Sequence, residues 1–123
     1  MPQLTPHFHS SEFDCHDGTP LPERAYVRYR HLCRKLLEPM RSEWGRCHVI
    51  SGFRSFKHNL EVGGAPRSMH LLVRGRPGAA ADVVFERGTP ADWAAHADRL
   101  GAGGVGRYES SVHVDTRRAR ARW

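Results

Sequence analysis

The chain has 123 residues, 39% of them hydrophobic, and carries a net charge of +6. That length suits one compact domain, residues 1–123, and no apolar run is long enough to insert in a bilayer. The charge favours polyanions, either nucleic acid or an anionic wall polymer, although a solvated basic surface accounts for it equally well.

The three cysteines, Cys15, Cys33 and Cys47, are odd in number and form no C-x-x-C pair, so no disulfide framework or cysteine zinc knuckle is signalled. A single disulfide stays open. The opening MPQLTPHFHSSEF has no basic cluster followed by an apolar run. No secretory leader is therefore expected: the chain is made in the cytoplasm, and action beyond it requires release by another factor.

Residues 1–20 read as an irregular arm pinned by Phe8 and Phe13, with His7 and His9 on its surface rather than in a metal site. From Pro22 to about Trp44, Tyr26, Tyr29, Leu32, Cys33, Leu36, Leu37 and Met40 recur at helical spacing. Pro39 is expected to end or kink that helix near its close. Cys47 to Ser51 reads as a strand, and Gly52 turns the chain. Arg54 to about Val62 forms a short helix closed by Gly63 and Gly64, and 65–69 is loop. Ala80 to Glu86 is a second strand, apolar enough to be buried on both faces.

Thr89, Pro90 and Asp92 supply an N-cap, a first-turn proline and a first-turn acid for a helix to about Leu100. GAGGVGRY turns into a strand. It follows a helix and precedes a strand, the reverse of a phosphate loop. Ser111 to Asp115 is the last strand, antiparallel to the one before, and RRARARW closes the chain.

A catalytic zinc site needs three protein ligands and an open fourth position. His70, Asp82 and His113 fit. His70 lies in a loop of small residues, and Asp82 opens an apolar strand, where a carboxylate is costly unless paired or metal-bound. His113 faces away from Val112 and Val114, and Asp115 shares its face, as a base or as a partner orienting the imidazole.

The segments HFHSSEFDC, LLEPMR, ISGFRS, HNLEVGGAPRSMHL, GAAAD and VHVDTRRARARW, in this order, resemble the zinc D-Ala-D-Ala carboxypeptidase family, the M15 peptidases. Relatives share a fold with the hedgehog signalling domain. The resemblance implies an α+β fold, a small antiparallel sheet packed against helices, and one zinc ion. It implies His70, Asp82 and His113 as ligands in chain order, Arg54 holding the substrate's carboxylate or carbonyl, and Ser68 as the signature serine beside the first ligand.

Two departures stand out. The family pattern H-L-x-G-x-A-x-D is stretched: eleven positions, Leu71 to Ala81, separate the ligands here, leaving Leu72 to Arg76 as an insertion beside the cleft. Ser110 also occupies the place where many relatives carry an acid. That leaves Asp115, favoured by strand alternation, and Glu109 as candidate bases. The implied function is zinc-dependent hydrolysis in peptidoglycan stem peptides by a monomeric carboxypeptidase or endopeptidase, suiting a phage or prophage lysis protein. The rivals are a non-catalytic, zinc-stabilised wall-binding module on the same fold and a nucleic-acid-binding protein. The second lacks a recognition helix or an aromatic platform, so no nucleic-acid partner is expected.

Overall fold

A computed structural model describes residues 2–73 and 76–123. Arg74 and Gly75, two positions of the 72–76 insertion, lie outside the described residues.

The N-terminal arm is more ordered than its composition indicates. β1 (Gln3–Thr5) and β2 (Phe8–His9) pair antiparallel, followed by a 3-10 turn over Ser10–Phe13. Leu4, Phe8 and Phe13 are buried, and the Phe13 ring lies 4.8 Å from that of Tyr29. His7 bonds to Glu38 through its ring at 2.7 Å, and His9 caps the Ser10 turn, so both histidines have local structural roles.

The long helix forms as expected but passes through Pro39. α1 (Tyr26–Leu32) runs into a π turn at Cys33–Leu37 and then α2 (Glu38–Trp44). Pro39 has no N–H, and its ring crowds the carbonyl four residues back. The Glu38 N–H reaches instead to the Cys33 carbonyl, five residues back, and the wider turn admits the proline without breaking the helix. Gly45, at φ 84°, ends it.

β3 (Cys47–Ser51) and β4 (Ala80–Phe85) flank α3 (Phe56–Glu61) in sequence. α4 (Pro90–Arg99) follows, with the expected Thr89–Asp92 capping box. β5 (Gly104–Arg107), β6 (Val112–Asp115) and β7 (Ala121–Arg122) complete the main sheet in the order β3-β4-β6-β5-β7. All pairs are antiparallel except β5–β7, which is parallel. RRARARW therefore supplies an edge strand that its arginines had hidden from a hydrophobic pattern. The architecture is α+β: one small antiparallel sheet, one larger mixed sheet, and helices.

The core joins the inner face of α1, the π turn and α2 (Tyr29, Leu32, Leu36, Met40) to the sheet (Ala81, Val83, Val112, Val114). Cys15, Cys33 and Cys47 are buried free thiols. Leu72, assigned to the insertion, is buried in this core, so part of that segment is structural. The buried Tyr29 hydroxyl donates to the Ala80 carbonyl at 2.9 Å, tying the helix to the start of β4 two residues before Asp82. Tyr29→Phe keeps the packing and removes that bond. The expected cost is about 1–2 kcal/mol, read as a lower urea midpoint at unchanged slope.

Candidate metal centre

The sheet register sets two of the expected ligands side by side. Asp82 on β4 pairs directly with His113 on β6, and Ser51 of β3 flanks Asp82 on its other side. His70 arrives from the loop before β4 and is held at several points. Its Nδ1 donates to the Gly52 carbonyl at 2.6 Å, and its own N–H donates to the Ser68 hydroxyl at 3.2 Å. Its carbonyl accepts the Arg54 N–H at 3.0 Å. Gly52 is required here by crowding: a Cβ would lie 2.7 Å from the Phe13 backbone. The carbonyl that aims His70 thus depends on the N-terminal arm.

His70 Nε2 lies 3.3 Å and His113 Nδ1 3.0 Å from Asp82 Oδ1. One ligand atom from each residue falls within 4.8 Å of the other two. The far nitrogen of each ring is committed, His70 Nδ1 to the Gly52 carbonyl and His113 Nε2 to the Asp115 carboxylate at 2.7 Å. With those far nitrogens keeping their protons, each near nitrogen would be free to offer its lone pair to a metal ion. Two imidazole nitrogens facing a carboxylate oxygen call for positive charge among them, supplied either by imidazole protons or by a metal ion. Tetrahedral zinc, with bonds near 2.0–2.1 Å, sets ligand atoms about 3.3 Å apart. The donor set and its spacing fit zinc.

Electrostatics reinforce the cluster. Burial pushes the Asp82 carboxyl up, but the bonds from His113 and His70 outweigh it and hold it well below the usual carboxylate range. Burial lowers His113, while Asp115 and Asp82 raise it, with a net upward shift. The site therefore stabilises positive charge next to Asp82.

The cluster opens onto a cleft of about 330 Å³. Arg54, Ser68, Asp82 and His113 line it together with Tyr108 and Trp123. One Arg54 Nη lies 3.8 Å from Asp82 Oδ2, and the other donates to Asn59 Oδ1 at 3.4 Å. The guanidinium is thus held at the cleft beside the oxygen of Asp82 that points away from the histidines. Ser68 lines the cleft too, with its hydroxyl bonded to the His70 N–H.

Asp115 takes a different place from the one expected of a base. Its carboxylate is fully buried on the far side of the His113 ring. It accepts from the Gly104 N–H at 2.8 Å and from the Arg117 guanidinium at 2.7 and 3.0 Å. Burial pushes its pKa up, yet His113 and Arg117 bring it well below the usual range. A Cβ on Gly104 would collide with this carboxylate. Strand alternation correctly set Asp115 on the face of His113, but the pairing with β5 closes that position to solvent. Glu109 lies off that face, because β6 begins only at Val112 and Glu109 is exposed in the turn 108–111.

Four residues of the site escaped sequence reasoning: Asn59, Tyr108, Arg117 and Trp123. Asn59 is buried and donates to the Ala65 carbonyl, closing the loop before His70. Arg117 and Trp123 lay within a tail that read as a charge run. The available signal was an aromatic ending an arginine-rich stretch. Asp115→Asn is expected to keep the fold and weaken zinc affinity by about 10–100-fold, measured by competition with a chromophoric chelator.

Against known families, the profile described as Peptidase M15 matches residues 6–115. No curated protein matches the chain. The matched span holds all three ligand candidates, Arg54 and Ser68, and covers most of the chain. The chain belongs to the peptidase M15 family.

Proposed function

We propose that the protein is a zinc metallopeptidase that hydrolyses a peptide bond in peptidoglycan stem peptides. The observation that carries this reading is the convergence of His70 Nε2, Asp82 Oδ1 and His113 Nδ1 at an open cleft, with the far nitrogen of each imidazole already bonded. M15 peptidases are zinc-dependent, and zinc held by these residues would supply Lewis acidity and a bound water of near-neutral pKa.

The chain's own residues divide the remaining work. Gly52 and Asp115 fix the two imidazoles, and Arg117 keeps Asp115 ionised. Arg54 presents a cation at the cleft, suited to a peptide's terminal carboxylate or to the carbonyl next to the cut. In the net reaction the peptide C–N bond breaks, the acyl carbon gains the oxygen of water, and the amine leaves with a proton. Asp115 is buried behind His113, which leaves Glu109, next to the cleft-lining Tyr108 though not itself lining the cleft, as the candidate for moving this proton once substrate is bound. A terminal D-Ala-D-Ala bond and an internal cross-link both suit an open cleft with a cation in it. The basic surface would hold the enzyme to an anionic wall, more weakly as salt rises. Release to the wall would come from a separate factor, as for a phage lysis protein. No helix among the described residues is long and apolar enough to cross a membrane.

One observation favours a second reading, a zinc-stabilised module that binds wall without cutting it. Asp82 is the one carboxylate among the described residues lining the cleft. Glu109→Gln separates the two. Under the catalytic reading it lowers turnover on purified muropeptides by about 10²–10⁴-fold while zinc content stays at wild type. Wild-type protein that binds wall fragments and releases no peptide supports the module.

His70→Ala is expected to lose zinc and all peptide release together, by elemental analysis and by mass spectrometry of digested peptidoglycan. Free D-alanine among the products identifies a carboxypeptidase, and resolved cross-links an endopeptidase. Zinc competes with protons for the imidazoles, so affinity should fall as pH drops, and the upward shift of His113 starts that fall above the ordinary histidine range. A pH-independent zinc affinity would contradict imidazole ligation.

A further inference from the structure

Trp123 sits beside the candidate metal cluster. β7 runs parallel to β5, with the Trp123 N–H donating to the Val105 carbonyl at 3.0 Å and the Arg107 N–H donating to the Trp123 carbonyl at 2.8 Å. This fixes the indole over Gly106, where any Cβ would overlap the ring. The ring lies 4.8 Å from that of His113, and the Arg117 guanidinium carbon is 5.3 Å from its centre. Its Nε1–H donates to the Tyr108 hydroxyl at 3.0 Å.

That bond orders the phenol. Indole N–H is a donor only, so the phenol oxygen must act as acceptor towards Trp123 and its own O–H points elsewhere. Tyr108 is 42% exposed, lines the cleft with Asp82 and His113, and has its backbone tied by the N–H bond to the Ser111 carbonyl. An exposed tyrosine with no role needs neither restraint. Here both oxygen and backbone are fixed, and the free donor lies on the wall of the cleft that carries the metal ligands.

Resting on the peptidase reading, we propose that Tyr108, held by Trp123, donates its phenolic hydrogen bond to the carbonyl oxygen of the peptide bond being cut. It would strengthen that bond as negative charge builds on the oxygen. With Arg54 it gives the cleft two donors for the peptide's oxygens, one neutral and one cationic. The same aromatic wall offers the apolar side chains of a short peptide a flat surface.

The test compares Tyr108→Phe and Trp123→Phe with wild type on a synthetic stem pentapeptide, with zinc content measured for each. Tyr108→Phe should lower kcat by about 10²–10³-fold with KM nearly unchanged and zinc at wild-type stoichiometry. Trp123→Phe keeps an aromatic ring against His113 and removes the N–H. It should lower kcat in the same direction by a smaller factor, and abolish the change in tryptophan emission that the pentapeptide causes in wild type. Zinc-replete Tyr108→Phe that turns over like wild type overturns the proposal and leaves the peptidase reading standing. Wild type that neither binds nor cuts the pentapeptide or any muropeptide overturns both.

Discussion

Two imidazole nitrogens face one carboxylate oxygen at 3.0 and 3.3 Å, and the rest of the molecule is arranged to keep them there. That arrangement calls for positive charge at its centre, and a metal ion coordinated by the three atoms would supply it. The bonds behind each ring make the arrangement specific: Gly52 holds one tautomer of His70, and Asp115 holds one of His113. The two histidines thereby offer different ring nitrogens to the same centre. Ligand identity follows from these outer contacts as much as from the histidines themselves.

The fold supplies those contacts from distant parts of the chain. β4 and β6 are neighbours in the sheet, so Asp82 and His113 meet with no loop between them. His70 is the ligand candidate that needs support, and its support comes from Ser68, the Arg54 N–H and the Gly52 carbonyl. Gly52 in turn packs on Phe13, whose carbonyl accepts the Phe53 N–H at 2.9 Å. The 3-10 turn of the N-terminal arm is therefore part of the candidate metal site's foundation, though it contributes no ligand atom. At the other end, β5 delivers the Gly104 N–H to Asp115, and β7 delivers Trp123 to His113.

Much of this could be read from the residues. The helices follow from spacing and capping, the β4 strand from its apolar run, and the convergence of His70, Asp82 and His113 from histidines and an aspartate in unusual company. What could not be read depended on pairing. The hairpin at 3–9 is too short to show a pattern, and β7 consists of residues whose charge outweighs their conformation in any composition reading. Asp115 is the clearest case. Alternation fixed its face, but only the neighbouring strand decides whether that face opens to solvent or closes on Gly104 and Arg117. Pro39 shows the converse: its disruptive tendency was correctly anticipated, yet a single π turn absorbs it because the surrounding core holds both halves of the helix.

X-ray absorption at the zinc edge of the metal-loaded protein tests the central claim most directly. Two imidazole nitrogens and carboxylate or water oxygen at about 2.0–2.1 Å are expected in a four-coordinate shell. A sulfur shell near 2.3 Å, or a shell without imidazole scattering, would contradict the assignment of His70, Asp82 and His113 as the ligands.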